Sequence, residues 1–155
     1  MAVFQSDRIL KGKAGNYGVY PQTGFGQVVI PANTTLTQDD TIELCNISPQ
    51  SILEDFLIDL PALDNGEGNA LAMSLQDDLS SPTVYVDGTT KGQSGGLVSM
   101  AVDLNTGVLG TLYTTVQKLV LLVGTTAGTS VGNADVTILF KTCWAPSGSA
   151  ANDNP

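Results

Sequence analysis

The stretch ADVTILFKTCW, residues 134–144, alternates along its length between apolar and more polar side chains. As a strand it places Val136, Ile138, Phe140 and Thr142 on one face, and Thr137, Leu139, Lys141 and Cys143 on the other. A period of two is the pattern of a strand that buries one face against a core. The stretch therefore predicts a long strand in a half-buried antiparallel sheet.

Other segments of the 155-residue chain show similar short apolar patterns between clusters of turn-forming residues. The chain has 17 glycines and 7 prolines, and its charged fraction of 14% is well below the usual level of about a quarter. Thr, Ser, Asn and Gln supply the polarity instead, and Thr suits the surface of a sheet. We therefore predict an all-β fold, a single antiparallel β-sandwich of about eight strands with a jelly-roll or an immunoglobulin-like order.

The segment SILEDFLIDL, residues 51–60, fits a helix as well as a strand. Ser51 and Glu54 have the spacing of a helical capping box, and apolar residues also recur at helical intervals. As a strand, the segment has Glu54 as a misfit on a face that otherwise carries Ile52, Phe56, Ile58 and Leu60. Because the segments on both sides of it have strand patterns, we predict a strand here.

The composition divides the chain into three parts. We predict an extended arm rich in glycine and aromatic residues at 1–31, the sandwich at 32–145, and an extended polar tail at 146–155. The arm has three cations against one acid, a net charge of +2, whereas residues 32–155 have three lysines against fourteen acids, a net charge of −11. A basic arm on an acidic body predicts attraction to another acidic body such as a second copy, although three cations could also serve solubility alone.

Several partners and compartments are disfavoured. The sequence pI near 4.1 argues against nucleic acid as a partner, since phosphate binding needs clustered cations. No run approaches the roughly 20 apolar residues of a membrane span, and the N-terminus lacks the apolar core of a signal peptide. We expect a chain made and assembled in a reducing cytoplasm, with Cys45 and Cys143 as thiols in preference to a bridge.

The residues that carry most enzyme chemistry are scarce. There is no histidine, which removes the common nucleophile-activating and zinc-binding arrangements. The carboxylates of Asp64–Glu67, Asp77, Asp78 and Asp87 are loop residues that lack the spacing of a calcium loop. We therefore expect no enzyme activity, no cofactor and no metal. Sugar binding through aromatic platforms at Tyr85, Tyr113 or Trp144 is an alternative.

Three stretches of the sequence carry a resemblance. Residues 39–78, DDTIELCNISPQSILEDFLIDLPALDNGEGNALAMSLQDD, and the later GQSGG and KLVLLVGTTAGTSVGNADVTILFKTCW resemble small β-sandwich head proteins of tailed bacteriophages, of the decoration or cement type. The resemblance implies a non-enzymatic virion protein on the outer surface of the head, assembled in the bacterial host cytoplasm. It implies that the protein bridges neighbouring major capsid subunits, and that it self-associates as a homo-oligomer such as a trimer.

If this holds, the N-terminal arm is the natural contact segment, because aromatic rings contribute strongly to interfaces and glycine permits close approach. The candidate interface residues are Phe4, Arg8, Lys11, Lys13, Tyr17, Tyr20 and Phe25. Alternative functions are a tail, collar or fibre-attachment component of the virion, or a carbohydrate-binding adhesion module.

Overall fold

The computed structural model describes residues 1–5, 22–64, 70–105, 108, 111–127 and 133–144. These residues are almost entirely in strands, with two four-residue helices, α1 (Lys91–Ser94) and α2 (Met100–Asp103). The strands are β1 (Val3–Gln5), β2 (Gln22–Ile30), β3 (Thr41–Ile47), β4 (Ser51–Leu60), β5 (Ala72–Asp77), β6 (Val84–Thr89), β7 (Gly96–Ser99), β8 (Leu112–Tyr113), β9 (Gln117–Thr125) and β10 (Ala134–Trp144). Within the described part, no helix is long and apolar enough to cross a membrane.

The strands form two sheets. Sheet A has the order β1-β3-β9-β5-β6, and sheet B has the order β2-β10-β4-β7, with β8 also paired to β4. The predicted all-β sandwich is confirmed, and the pairs between described strands are antiparallel except for the parallel pair of β1 and β3.

The core lies between the two sheets. Sheet A contributes buried apolar side chains such as Ile42, Leu121 and Val123, and sheet B contributes Ile58 and Ile138. Burying a side chain of this size stabilises the fold by about 1.5–3 kcal/mol relative to an exposed one. The alternation predicted for residues 134–144 is confirmed, since Val136, Ile138, Phe140 and Thr142 are all buried.

Strand β4 confirms the prediction for residues 51–60 and explains the misfit of Glu54. The pairing of β10 with β4 changes register between Lys141, opposite Asp55, and Thr142, opposite Leu53. Glu54 is therefore an extra residue, a β-bulge, and the bulge turns its side chain out of the core. As a result Leu53 is buried, while Ile52 is only half-buried.

Residues 22–30 were expected to belong to an extended arm that runs to residue 31, but they form strand β2 of sheet B. Gln22–Ile30 pairs along nine residues with β10, so the sandwich includes a segment assigned to the arm. The physical reason lies in two inward-facing glycines. A Cβ atom on Gly24 would come 2.1 Å from Cζ of Phe140, and one on Gly26 would come 2.1 Å from the backbone oxygen of Leu44. Glycine here gives room to a large neighbour and to the opposite sheet.

A buried hydrogen-bonded group links the two sheets at one end of the sandwich. The hydroxyl groups of Tyr85 and Tyr113 are hydrogen-bonded to each other, and the Tyr113 hydroxyl donates to Oδ2 of Asp77 at 3.0 Å. The other oxygen of Asp77 accepts from the backbone N–H of Thr83 at 3.0 Å. Burial, and then the neighbouring Tyr85 and Asp77, raise the pKa of Tyr113, so it is a neutral donor to the carboxylate.

Candidate interaction surface

The outer face of sheet B carries a row of apolar side chains exposed to solvent. Leu139 on β10 lies directly opposite Phe25 on β2 and directly opposite Leu57 on β4. The exposed fractions are 45% for Phe25, 48% for Leu139 and 38% for Leu57. Directly opposite residues on neighbouring strands have side chains in contact range, so these three form one continuous row across three strands. We call Phe25, Leu139 and Leu57 the apolar row.

Two further apolar side chains extend this surface in other directions. Leu97 on β7 lies opposite Asp59, which is two residues from Leu57 on β4, and Leu97 is 54% exposed. Val29 on β2 lies opposite Asp135, and is 56% exposed. Single exposed apolar residues are ordinary, but five on one side of one sheet, interrupted by Gln27 and Asp59, make this face a candidate interaction surface.

Charged groups surround the apolar row. On one side, Lys141 lies between Thr23 and Asp55 and forms an ion pair with Glu54, with 2.9 Å between Nζ and Oε2. The neighbouring ammonium of Lys141, together with a hydrogen bond from Cys143, lowers the pKa of Glu54, so its carboxylate is ionised at neutral pH. A shallow depression lies between this charged position and the apolar row.

On the other side of the apolar row the charges are acidic. Asp59 and Asp135 are both exposed, and they lie opposite Thr137 and Val29 respectively. Together with Glu54 and Asp55 they make four carboxylates against the single ammonium of Lys141, a net charge of −3. The outer face of sheet B is therefore apolar at its centre and acidic at its rim.

The lysines of the sandwich are all paired with acids of the same molecule, so none adds a free positive charge to its surface. Each of the three lysines in residues 32–155 is held in an ion pair, Lys91 with Asp103, Lys118 with Glu43 and Lys141 with Glu54. Lys91 also donates to the backbone oxygen of Leu97 at 2.6 Å. Because these cations neutralise acids within the molecule, the eleven acids in excess determine the sign of its outer field.

The structure places two of the seven predicted interface residues. Phe25 lies on β2, in the apolar row, and Phe4 lies on β1 opposite Ile42, although its side chain is outside the described part. Arg8, Lys11, Lys13, Tyr17 and Tyr20 lie outside the described residues. Phe4 and Phe25 therefore lie in different sheets and Phe25 belongs to the sandwich itself, while the set as a whole stays a prediction.

The first residues are attached to the edge of sheet A. The backbone N–H of Thr41 donates to the carbonyl oxygen of Ala2 at 2.9 Å, and the N–H of Ala2 donates to Oδ1 of Asp40 at 2.5 Å. Burial raises the pKa of Asp40, but the hydrogen bonds from Ala2 and Thr37 outweigh it, so the pKa is lowered. Asp40 therefore holds β1 against β3 as a carboxylate.

Two of the carboxylates and two of the aromatic rings considered for chemistry are buried and hydrogen-bonded within the fold. Asp64 and Asp77 are fully buried, and Asp64 accepts from the backbone N–H groups of Ala70 and Leu71 at 2.9 and 3.0 Å. Tyr85 and Tyr113 are buried and so cannot serve as sugar-stacking platforms, while the side chain of Trp144 lies outside the described part. Among the described residues there is no cluster of three acidic, cysteine or histidine side chains that could hold a metal ion.

Leu57, Leu139, Leu97 and Val29 were not among the predicted interface residues. The alternation of residues 134–144 did place Leu139 on the polar side of its strand, which was the available signal. An apolar residue on a polar face is informative only when others lie beside it. That juxtaposition depends on the register of β2, β10 and β4, which one sequence does not give.

No protein-family model matches this chain, and no curated protein matches it. Two solved structures have a similar fold. A chain of the capsid of Ralstonia phage GP4 superposes with a TM-score of 0.69 at 17% identity, covering 92% of this chain and 98% of that chain. A chain of the capsid asymmetric unit of cyanophage Pam1 gives a TM-score of 0.62 at 19% identity, covering 84% of this chain and 91% of that one. At these identities the likeness establishes a shared fold.

Proposed function

We propose that this protein is a non-enzymatic structural component of a phage virion, a decoration or cement protein on the outer surface of the head. The observation that carries the proposal is the likeness to two chains from phage capsids. The likeness covers 92% of this chain in the first comparison and 84% in the second, and more than 90% of each phage chain. It therefore concerns the complete sandwich and not a common sub-structure of two or three strands.

The lengths of the compared chains support the finer part of the proposal. Since 92% of this chain covers 98% of the GP4 chain, the two chains are nearly equal in length. The likeness is thus to a whole small capsid chain, and not to one domain of a longer shell subunit. A small sandwich that binds a lattice of identical subunits can bridge them, because each weak contact is repeated over the lattice.

We also propose that the N-terminal segment contacts a neighbouring copy of this protein on the head. Arg8, Lys11, Lys13, Tyr17 and Tyr20 combine positive charge with aromatic rings, which suits a neighbouring acidic surface such as a second copy of this chain. This contact would make a homo-oligomer, such as a trimer, on the major capsid protein. Substituting Tyr17 and Tyr20 by Ser should weaken head binding without changing the thermal stability of the sandwich.

The proposal is tested by reconstitution on phage heads. Heads purified from a phage that lacks the gene for this chain should take up the added protein to saturation at hundreds of copies per head, counted by mass spectrometry. A tail, collar or fibre-attachment component would instead reach a few dozen copies at most and would co-purify with tails. Failure to bind heads at all would refute the proposed function.

A further inference from the structure

We infer that the outer face of sheet B is the surface by which this protein docks on the capsid. Its occupant is a protein surface with an apolar centre and a rim of Lys or Arg. The inference rests on the proposed function and deepens it, because it assigns the face and the chemistry of the partner. It is carried by the juxtaposition of the apolar row with the acidic rim.

The apolar row supplies the affinity. Leu57 and Leu139 are each more than a third exposed and are opposite one another, so a single flat partner surface can cover both at once. Covering half of a leucine side chain stabilises a complex by roughly half of the transfer free energy of the whole side chain. Leu97 and Val29 widen the covered area across all four strands of the sheet.

The acidic rim decides what the partner is. Asp55, Asp59 and Asp135 would repel nucleic acid and anionic lipid, which are excluded as occupants. A second copy that presented the same face would set two faces of net charge −3 against each other, because a two-fold contact brings identical patches together. A basic rim on a different subunit is attracted by the same charges. This attraction orients the two proteins as they approach each other.

The net charge of the whole sandwich also favours a cationic partner. Its lysines are all held in internal ion pairs, so the described residues of the sandwich have no spare lysine with which to attract an acidic partner. With eleven excess acids, residues 32–155 attract cationic surfaces generally, and the apolar row makes one face specific. Binding through this face should weaken as salt concentration rises, since rim charges are screened.

The test uses full-length protein and heads purified from a phage that lacks this gene. Leu57→Thr with Leu139→Thr keeps two good strand residues, and should weaken binding to the heads at least about tenfold. The matched control is Leu79→Thr with Val116→Thr, at two residues that are 40% and 45% exposed but lie off sheet B. The control should bind as the wild type does.

A charge-reversal pair tests the rim separately. Asp59→Lys and Asp87→Lys make the same change in net charge, but Asp59 is on the outer face of sheet B and Asp87 is on β6 of sheet A. Asp59→Lys should weaken head binding several-fold more than Asp87→Lys, and should flatten its dependence on salt. Equal effects of the two substitutions would contradict the acidic rim as a docking element.

The outcomes separate the two proposals. If the wild-type protein does not bind heads, the proposed function fails and this inference fails with it. If wild-type protein binds and Leu57→Thr with Leu139→Thr binds equally well, only the docking face is wrong. The oligomeric state of both proteins, measured by light scattering, should be the same. Dissociation of an oligomer by the leucine substitutions would show that a second copy covers this face, and would overturn the inference.

Discussion

Gly26→Ala should destabilise the protein strongly, although it adds a single methyl group to a strand. The Cβ atom would lie 2.1 Å from the backbone oxygen of Leu44 in the opposite sheet, whereas real Cβ contacts essentially never fall below 3.0 Å. The two sheets must therefore separate locally by about 0.9 Å, the difference of these distances. A backbone oxygen cannot move aside as a flexible side chain can, so the strain is shared between two strands.

The magnitude follows from the packing between the sheets. A gap of about 0.5–1 Å removes a quarter to a half of the dispersion energy of each contact across it. Overpacking of a core usually costs about 1–3 kcal/mol, and contact with backbone favours the upper end. Alanine also lowers the conformational entropy of the unfolded chain, which stabilises the folded state by about 0.4–1 kcal/mol and offsets part of this loss. The expected net loss is about 2–2.5 kcal/mol, a large part of a typical stability of about 5–15 kcal/mol.

Urea unfolding followed by tryptophan fluorescence measures this loss as a lower midpoint with an unchanged slope. Gly124→Ala in β9 is the matched control, because a Cβ there would meet the oxygen of Ala72 at an ordinary 3.5 Å. It should not lower stability, and should raise it by at most about 1 kcal/mol, because only the effect on the unfolded chain remains. If Gly26→Ala were as mild as Gly124→Ala, the close approach of β2 to β3 would be wrong, and with it the role of glycine in this strand.

Three further predictions concern stability. Gly24→Ala should also destabilise, but Phe140→Leu should restore part of the loss, because the clash at Gly24 is with the Phe140 ring and not with backbone; a double-mutant cycle in urea measures the coupling. Tyr113→Phe should cost about 1–3 kcal/mol in thermal unfolding, since Asp77 loses a buried donor; an unchanged melting temperature would contradict the buried link between the sheets. Burial raises the pKa of Asp103, but the hydrogen bonds from Lys91 and Ser99 prevail and lower it below 3.8. Its contribution is therefore present at neutral pH and lost as the pH falls below about that value. Asp103→Asn should then be less stable than wild type at about pH 7, and the difference should shrink as the pH is lowered through the acid range; a pH-independent difference would argue against the ion pair.

Much of the sandwich could be predicted from local pattern. The alternation of residues 134–144 gave the strand and its two faces, and the segment 51–60 was predicted as a strand with Glu54 out of place. What the pattern could not give was the bulge that accommodates Glu54. A bulge is a property of two paired strands, and here it appears only as the register change opposite Lys141 and Thr142.

Strand β2 was missed for a different reason. Its inward positions are Gly24, Gly26, Val28 and Ile30, which keep a period of two only if glycine is counted as a core residue. Glycine usually weakens a strand and is common in extended, unpaired segments, so an arm was the natural interpretation. The deciding information is the bulk of Phe140 and the nearness of Leu44, and both belong to distant parts of the chain.

The same strand carries two kinds of position. On its inner side Gly24 and Gly26 set the distance between the sheets, and on its outer side Phe25 and Val29 belong to the exposed apolar surface. Successive residues of a strand point to opposite faces, so neighbouring positions can be changed with independent consequences. Substitution at Gly26 should lower the stability of the fold, whereas substitution at Val29 should weaken the proposed binding and leave the stability unchanged.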